Sequence, residues 1–186
     1  DRNELEAQLF GHLEAVGFGH VVVAQSKRHL QELLQSDRRG LIVSMTRLVH
    51  FGELPDELRR KHDAVTGVDA TFIAATRPGT SVAEVFEAGL RAYCEAGFGD
   101  EWRLHHQGGA TGYAGRDYRV NPRTQEVVQE NQAFAWNPSI AGTKSEDTII
   151  ALPDRTEIIS RTPGLPTLAV QVNGQTIARS DIVVRY

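Results

Sequence analysis

The sequence is poor in cysteine, in aromatic residues and in long apolar runs, and it carries no excess of positive charge. Cys94 is the only cysteine among 186 residues, which excludes an internal disulfide and a metal cluster held by thiolates. The longest apolar runs, such as 41–43 and 148–152, are far too short to span a bilayer. A net charge of −4 gives no electrostatic reason to expect a nucleic acid or an anionic membrane as a partner.

What remains is an ordinary globular composition. With 40% apolar residues, the chain is long enough to bury one core, and no linker or repeat divides it, so we predict a single domain over residues 1–186. Cys94 lies within a helical pattern, where we expect a packed and inert thiol in a reduced, cytoplasmic setting. The chain begins without methionine or a signal-peptide pattern, and we expect it to be incomplete at the N-terminus.

Hydrophobic spacing predicts helices mainly in the first half of the chain. Residues 3–16, 53–76 and 81–97 have the helical period, and Thr80 or Ser81 with Glu84 forms a predicted capping box. Short strands are predicted at 21–24, 30–34 and 41–51, then at 133–136, 148–152, 156–160, 168–172 and 181–186. Helices followed by a largely antiparallel sheet indicate the α+β class.

Polar residues are concentrated in two segments that are flanked by strand-like runs. Residues 102–118 read WRLHHQGGATGYAGRDY, and residues 135–148 read AWNPSIAGTKSEDT. Polar groups this dense are costly to fold around unless they have partners or a function. The sequence therefore predicts the functional site in these two segments.

Four landmarks in a fixed order, the last of them a pair of elements, resemble those of a known family. Ser44-Met45-Thr46-Arg47 resembles a D-x-T-R element, and Arg77-Pro78-Gly79 resembles an RPG turn between two helices. His106-Gln107-Gly108-Gly109, with Tyr113 beyond it, resembles an H-G-x-G-x-x-x-H segment, and 137–138 and 145–148 resemble E-P and E-D-T elements. The chain thus resembles the pita-bread family of methionine aminopeptidase, Xaa-Pro aminopeptidase, prolidase and creatinase. The resemblance implies a curved, mostly antiparallel sheet covered by helices.

The metal ligands that this resemblance implies are mostly replaced. Active metalloenzymes of the family hold two divalent ions with two Asp, one His and two Glu. By motif, three of these carboxylate positions fall on Leu33, Ser44 and Asn137, so that only His106 and Glu146 remain. A metal pair needs several carboxylates to neutralise and bridge it, so we expect no intact metal site and no cofactor.

Creatinase works without a metal, so the resemblance leaves room for a metal-free hydrolase acting on a C–N bond of a small dipeptide or amino-acid-like substrate. In that hypothesis His106 is the general acid or base, and Glu146 orients it or holds a positive substrate group. Tyr113, Asn137 or Lys144 stabilises a developing oxyanion. Trp136 forms a flat wall for a proline-like ring, and the remaining predicted binding residues are His105, Arg116 and Asp117.

Less functional interpretations of the same residues stay open. Neighbours on a strand point to opposite faces, so one of His105 and His106 is structural, and one of Glu146 and Asp147 is solvated. In this interpretation, Arg116 and Asp117 form a salt bridge that only fixes a loop. Trp136 then belongs to the core and does not form a wall for a ligand. The side chains of Phe72, Phe86 and Tyr93 are predicted in the core, and the scattered histidines, such as His62, at the surface.

Two other functions remain as alternatives. The first is a catalytically silent pita-bread module that binds a peptide or a protein, and the second is a metallopeptidase with a single metal. A homodimer is expected only because the resemblance implies it. We expect a small molecule or dipeptide as the ligand, and neither nucleic acid nor membrane.

Overall fold

A computed structural model describes Ser26, Arg28, His29, Glu32 and residues 43–112 and 115–186. The predicted helix at 3–16 and the predicted strand at 21–24 lie outside the described residues. Of the predicted strand at 30–34, only Glu32 is described, and it is helical, as are Arg28 and His29. The Arg28 guanidinium donates to the Glu32 carboxylate at 3.0 Å, a contact that helical i, i+4 spacing allows. The strand prediction is therefore wrong at Glu32.

Two helices, α1 (Asp56–Ala75) and α2 (Val82–Glu95), follow the predicted spans closely. Helix α1 buries Val65, Val68 and Phe72 on one face, as the helical period requires. Helix α2 lies against it at Gly89, where the ring of Phe72 occupies the space that any side chain would need. A larger residue at position 89 would push the two helices apart.

The predicted capping box at the start of α2 is wrong. Ser81 is the N-cap residue, but its side chain makes no capping hydrogen bond. The Val82 N–H donates instead to the Glu126 carbonyl at 2.9 Å, and Ser81 bridges Val127 in antiparallel fashion. A neighbouring backbone segment thus satisfies the end of the helix, so a side-chain cap is not needed.

The strands of the described residues are β1 Val49–Phe51, β2 Gly108–Thr111, β3 Gln132–Trp136, β4 Ser139–Ile140, β5 Thr143–Lys144, β6 Asp147–Ala151, β7 Thr156–Ile158, β8 Thr167–Val172, β9 Gln175–Ser180 and β10 Val183–Arg185. Four of them form the central antiparallel sheet in the order β2-β3-β6-β7. The others form two antiparallel hairpins, β4-β5 and β8-β9, and a parallel pair, β1-β10, in which β1 is the described strand of the predicted 41–51 segment. This arrangement confirms the α+β class.

Two expectations about single residues are wrong, while the predicted aromatic core is confirmed. Cys94 is exposed near the end of α2 and is not packed. His62 is buried, with Nδ1 2.8 Å from the Thr143 hydroxyl and Nε2 3.1 Å from the Ser180 carbonyl, because α1 crosses β5 and β9 at this point. Within the described residues, no helix has the length and apolarity needed to cross a membrane.

Candidate active site

In the extended segment 145–148, which leads into β6, neighbouring side chains point to opposite sides. Ser145 and Asp147 face α1: the Ser145 hydroxyl donates to the Asp69 carboxylate at 2.5 Å. Glu146 and Thr148 face the other side, where they contact Thr46 and Ser44 respectively. The sequence Ser-Glu-Asp-Thr therefore contributes to two polar groups on opposite sides of this segment.

The first group, here called the buried network, comprises Arg47, Asp69, Ser145, Asp147 and Arg179. Arg179 Nη2 donates to Asp69 Oδ2 at 2.5 Å and to Asp147 Oδ2 at 2.7 Å. Arg47 Nη2 donates to Asp147 Oδ1, also at 2.7 Å. Burial raises the pKa of Asp69 to about 6, although Arg179 and Ser145 act in the opposite direction. Each carboxylate of this network lies against at least one guanidinium.

The second group, here called the Glu146 cluster, comprises Ser44, Thr46, Arg116, Lys144 and Glu146. Glu146 Oε1 pairs with Arg116 Nη2 at 3.1 Å, and Oε2 pairs with Lys144 Nζ at 3.1 Å. The Thr46 hydroxyl donates to Oε2 at 2.8 Å, and Arg116 Nη1 donates to the Ser44 hydroxyl at 3.3 Å. Both oxygens of the one carboxylate are therefore bound by cations.

His105 and His106 precede β2 and do not lie in a strand, so the opposite-face argument does not apply to them. Their rings stack on each other, with centroids 4.4 Å apart. Burial lowers the pKa of His106 to about 4, and the nearby charges of His105, Arg119, Arg116 and Lys144 lower it further in the same direction. His106 is thus neutral at physiological pH and lies in the field of the Glu146 cluster.

Asn137 lies next to the Glu146 cluster by strand register. Trp136 pairs with Asp147 between β3 and β6, which places Asn137 and Glu146 at the next positions outward. The Asn137 N–H donates to the Gln107 carbonyl at 3.1 Å. Its side chain is 3% exposed, and Oδ1 has no hydrogen-bond partner among the described residues. The buried Nδ1 of His106 is likewise without a partner in this part of the chain.

Several predicted site residues lie elsewhere or are differently paired. Trp136 is fully buried between Phe72 and Phe134 and donates its indole N–H to Thr76, so it belongs to the core and forms no wall of a cleft. Asp117 is exposed and does not pair with Arg116, which reaches Glu146 instead.

Two further predictions concern the E-D-T element and the glycine-rich segment. Glu146 and Asp147 are both buried, at 8% and 3% exposure, so neither is solvated as one interpretation expected. The predicted role of Tyr113 lies outside the described residues.

The sequence predictions missed Arg179 and Asp69, which hold the buried network together. Both had a signal in the pattern. Asp69 follows Val65 by four residues and precedes Phe72 by three, on the apolar face of α1, and Arg179 alternates with the buried Ile177 on β9. Ionisable residues at such positions are rarely buried unless they are paired.

The described residues contain no group of three or more His, Cys, Asp or Glu side chains arranged to hold a metal ion. Of the positions that carry metal ligands in the resembling family, Ser44 and Asn137 offer a hydroxyl and an amide. Glu146 offers a carboxylate that already has two cationic partners.

Comparison with known proteins places the chain in a family. A model of metallopeptidase family M24 matches residues 36–171, which is well over half of the chain. The chain belongs to this family. An uncharacterized peptidase of Staphylococcus saprophyticus is 26% identical over 122 residues, which are 62% of this chain and 35% of the relative.

Solved structures confirm the pita-bread fold. The X-Pro aminopeptidase from Thermotoga maritima has a TM-score of 0.60 at 19% identity, over 76% of this chain and 37% of that one. The N-terminal domain of a FACT complex subunit from Cicer arietinum has a TM-score of 0.55 at 15% identity, over 66% of this chain and 32% of that one. The chain spans about a third of the length of these relatives.

Proposed function

We propose that the chain is a metal-independent hydrolase that cleaves a C–N bond in a small dipeptide or amino-acid-like substrate. Membership of a peptidase family supports hydrolysis as the reaction class. The observation that carries the metal-free part is the Glu146 cluster, in which Arg116 and Lys144 already neutralise the carboxylate at a predicted metal position. Fixed cations of the protein thus take the electrostatic role that metal ions have in other hydrolases.

The residues of the cluster do not fit a pair of divalent ions. Such a pair needs several carboxylates at short distance, whereas Ser44 and Asn137 are neutral and Glu146 supplies one carboxylate. A metal ion bound to Glu146 would have to displace Arg116 or Lys144 and remain beside the other cation. Charge repulsion opposes both outcomes.

The neutral imidazole of His106 provides the proton-transfer step of the proposal. A water molecule attacks the substrate carbonyl carbon while His106 accepts its proton, and the same proton then passes to the leaving nitrogen as the C–N bond breaks. Negative charge develops on the carbonyl oxygen, where the Asn137 amide is available to donate a hydrogen bond and the positive field of Arg116 and Lys144 stabilises the charge. A pKa of about 4 keeps His106 neutral across the physiological range, although it also makes the imidazole a weak base.

Xaa-Pro dipeptides are the first substrates to test. The similarity to an X-Pro aminopeptidase favours them, and the narrower specificity is part of the proposal. With Trp136 in the core, selection of a proline ring has to depend on residues other than this aromatic side chain.

The test is turnover of a dipeptide panel by protein purified and assayed in EDTA, with products followed by mass spectrometry. We expect hydrolysis in EDTA and its loss in His106→Ala, with an unchanged free energy of unfolding. His50→Ala is the matched control, because His50 lies in strand β1 and its imidazole bonds to the Glu53 carbonyl, not to a residue of the Glu146 cluster. Activity that appears only on adding Mn²⁺, Co²⁺ or Zn²⁺ would contradict the metal-free reaction. The absence of turnover for every dipeptide tested would contradict the proposed enzymatic activity.

A second candidate is a silent module that binds a peptide without cleaving it. The partners of Glu146 are Arg116, Lys144 and Thr46 rather than His106, which favours a binding site over a catalytic pair. The fold similarity to a domain of a FACT complex subunit is compatible with it. Peptide binding by wild type without any turnover, together with its loss in Arg116→Ala, would favour this candidate.

A further inference from the structure

Counted over the described residues, the buried network and the Glu146 cluster are connected and together carry one surplus positive charge. Arg47 joins them, since Nη1 donates to the Glu146 carbonyl at 3.3 Å and Nη2 donates to Asp147. Asp69, with a pKa raised to about 6, is mostly ionised at neutral pH. The connected set then contains four cations and three carboxylates, namely Arg47, Arg116, Lys144, Arg179, Asp69, Asp147 and Glu146.

The surplus lies at the Glu146 cluster. In the buried network, two guanidiniums face two carboxylates, so that part is balanced. In the cluster, Arg116 and Lys144 share the single carboxylate of Glu146. Their side chains are only 15% and 28% exposed, so water compensates the extra charge incompletely. An anion at this end of the set would balance it.

A buried, unpaired donor in the cluster also fits an anion. The Nε–H of Arg116 has no partner among the described residues, although the atom is buried. The unpaired Oδ1 of Asn137 is an acceptor, so it fits a donor group of the ligand and not its anionic group. Native structures rarely leave such atoms unpaired unless an ordered water, an ion or a functional role accounts for them. Asp69 Oδ1 and Arg179 Nε of the buried network are unpaired as well, so the Arg116 donor supports an anion only together with the charge surplus of the cluster. A charged guanidinium with a donor to spare fits an anionic group.

We propose that Arg116 and Lys144 bind a carboxylate group of the ligand, in competition with Glu146. The proposal rests on the proposed function in taking this side of the sheet as the substrate site. A carboxylate fits for two reasons: the surplus is one charge, whereas a phosphate monoester carries about −1.5 to −2 at neutral pH. The two cations also already hold one carboxylate, with both N–O distances at 3.1 Å.

Competition with Glu146 gives the proposal a distinctive consequence. Removing the Glu146 charge frees both cations, so Glu146→Gln should bind a ligand carboxylate more tightly than wild type. A purely structural salt bridge predicts no gain. Glu130→Gln is the matched control, because it makes the same chemical and charge change at an exposed turn position.

The experiment is isothermal titration calorimetry at pH 7.5 with glycyl-proline, glycyl-prolinamide and inorganic phosphate as probes, in a His106→Ala background that prevents turnover. We expect glycyl-proline to bind at least about tenfold more tightly than the amide, the scale of a charge-assisted hydrogen bond. Glu146→Gln should tighten glycyl-proline binding by about tenfold, and Glu130→Gln should leave it unchanged. Lys144→Gln should weaken glycyl-proline binding, because it removes one of the two cations. Lys144 is the more exposed of them, so this variant provides the test if Glu146→Gln does not fold.

Each contrary result overturns the proposal. Equal affinity for the acid and the amide, equal effects of Glu146→Gln and Glu130→Gln, or phosphate binding tighter than glycyl-proline would each do so. The outcome is separate from that of the hydrolase proposal. If the wild-type protein binds the acid selectively but hydrolyses no dipeptide, the hydrolase proposal fails and the carboxylate site remains. If it hydrolyses dipeptides but binds the acid and the amide with equal affinity, the carboxylate site fails and the hydrolase proposal remains.

Discussion

The buried network and the Glu146 cluster start from neighbouring residues of one chain segment, yet they compensate charge differently. Asp147 faces α1 and has guanidinium partners on both oxygens, at 2.7 Å each, in a region closed to solvent. Glu146 faces the other side, where two cations share one carboxylate and Lys144 reaches the surface. A one-residue step along an extended segment thus separates a network with balanced charges from a cluster with an unbalanced one.

Burial also shifts the pKa of one group in each region, and the two shifts have opposite directions. It raises the pKa of Asp69 in the buried network and lowers that of His106 beside the cluster, because burial disfavours the charged form of either group. The buried network contains an acid that is harder to ionise, and a base that is harder to protonate lies beside the Glu146 cluster. The comparison predicts that variants of the buried network affect mainly stability and variants of the cluster mainly ligand binding.

The largest expected effect is that of Arg179→Met. Removal of this guanidinium leaves Asp69 and Asp147 buried with reduced compensation, which should lower the free energy of unfolding by about 3–5 kcal/mol. Urea denaturation followed by circular dichroism measures it. Arg119→Met, at an exposed position, is the control and should change stability little. A small loss in Arg179→Met would show that the buried network contributes little to stability.

Arg116→Met should have a smaller effect on stability, about 1.5–3 kcal/mol, since Glu146 retains Lys144 and Thr46 as partners. The same denaturation experiment applies. A loss as large as that of Arg179→Met would break the distinction between the buried network and the Glu146 cluster, because it would make the cluster equally necessary for folding.

The sequence predicted the parts of the fold in which side-chain periodicity is strong. Helices α1 and α2 and strands β3, β6, β7 and β8 lie close to the predicted spans. Strand β2, with the sequence GGAT, was missed because glycine carries no side-chain pattern, and its pairing with β3 brings it into the sheet. Strand β9 was missed because QTIARS reads as polar, although Ile177 and Arg179 are both buried.

The sequence predicted which residues lie near one another better than it predicted which partner each side chain takes. Motif order placed Ser44, His106, Asn137 and Glu146 near one another, and the structure connects three of them through register or contacts. Which partner each side chain takes depends on tertiary contacts that motif spacing does not contain. Arg116 is an example. Its neighbour in sequence, Asp117, was one predicted ion-pair partner, whereas in the fold Arg116 pairs with Glu146.

Stability should depend on pH with opposite sign in the two regions between about pH 4 and 6. The pKa of Asp69 rises from 3.8 to about 6 on folding, so its contribution is fully present below pH 3.8 and is lost as the pH rises to 6. The pKa of His106 falls from 6.5 to about 4, so its contribution is present above pH 6.5 and is lost as the pH falls to 4.

Two variants separate these contributions. Asp69→Asn retains only the His106 effect, so its stability relative to wild type should improve as the pH rises through this window. His106→Gln retains only the Asp69 effect, so its relative stability should fall, at no more than about 1.4 kcal/mol per pH unit for one proton. Urea midpoints at four pH values measure both slopes. Parallel slopes in the two variants would contradict the opposite pKa shifts.

The smallest expected effect is that of Lys144→Met, which sharpens the comparison from the exposed side. Lys144 is 28% exposed and pairs with a carboxylate that keeps Arg116, so the loss in unfolding free energy should be under about 1 kcal/mol. Salt screens such a pair, and the difference from wild type should shrink further in 1 M NaCl, where the Debye length is about 3 Å. The effect of Arg179→Met should survive the same salt, because its partners are closed to solvent. If both effects respond equally to salt, the buried network is accessible to ions and the two regions do not differ in the way that their burial indicates.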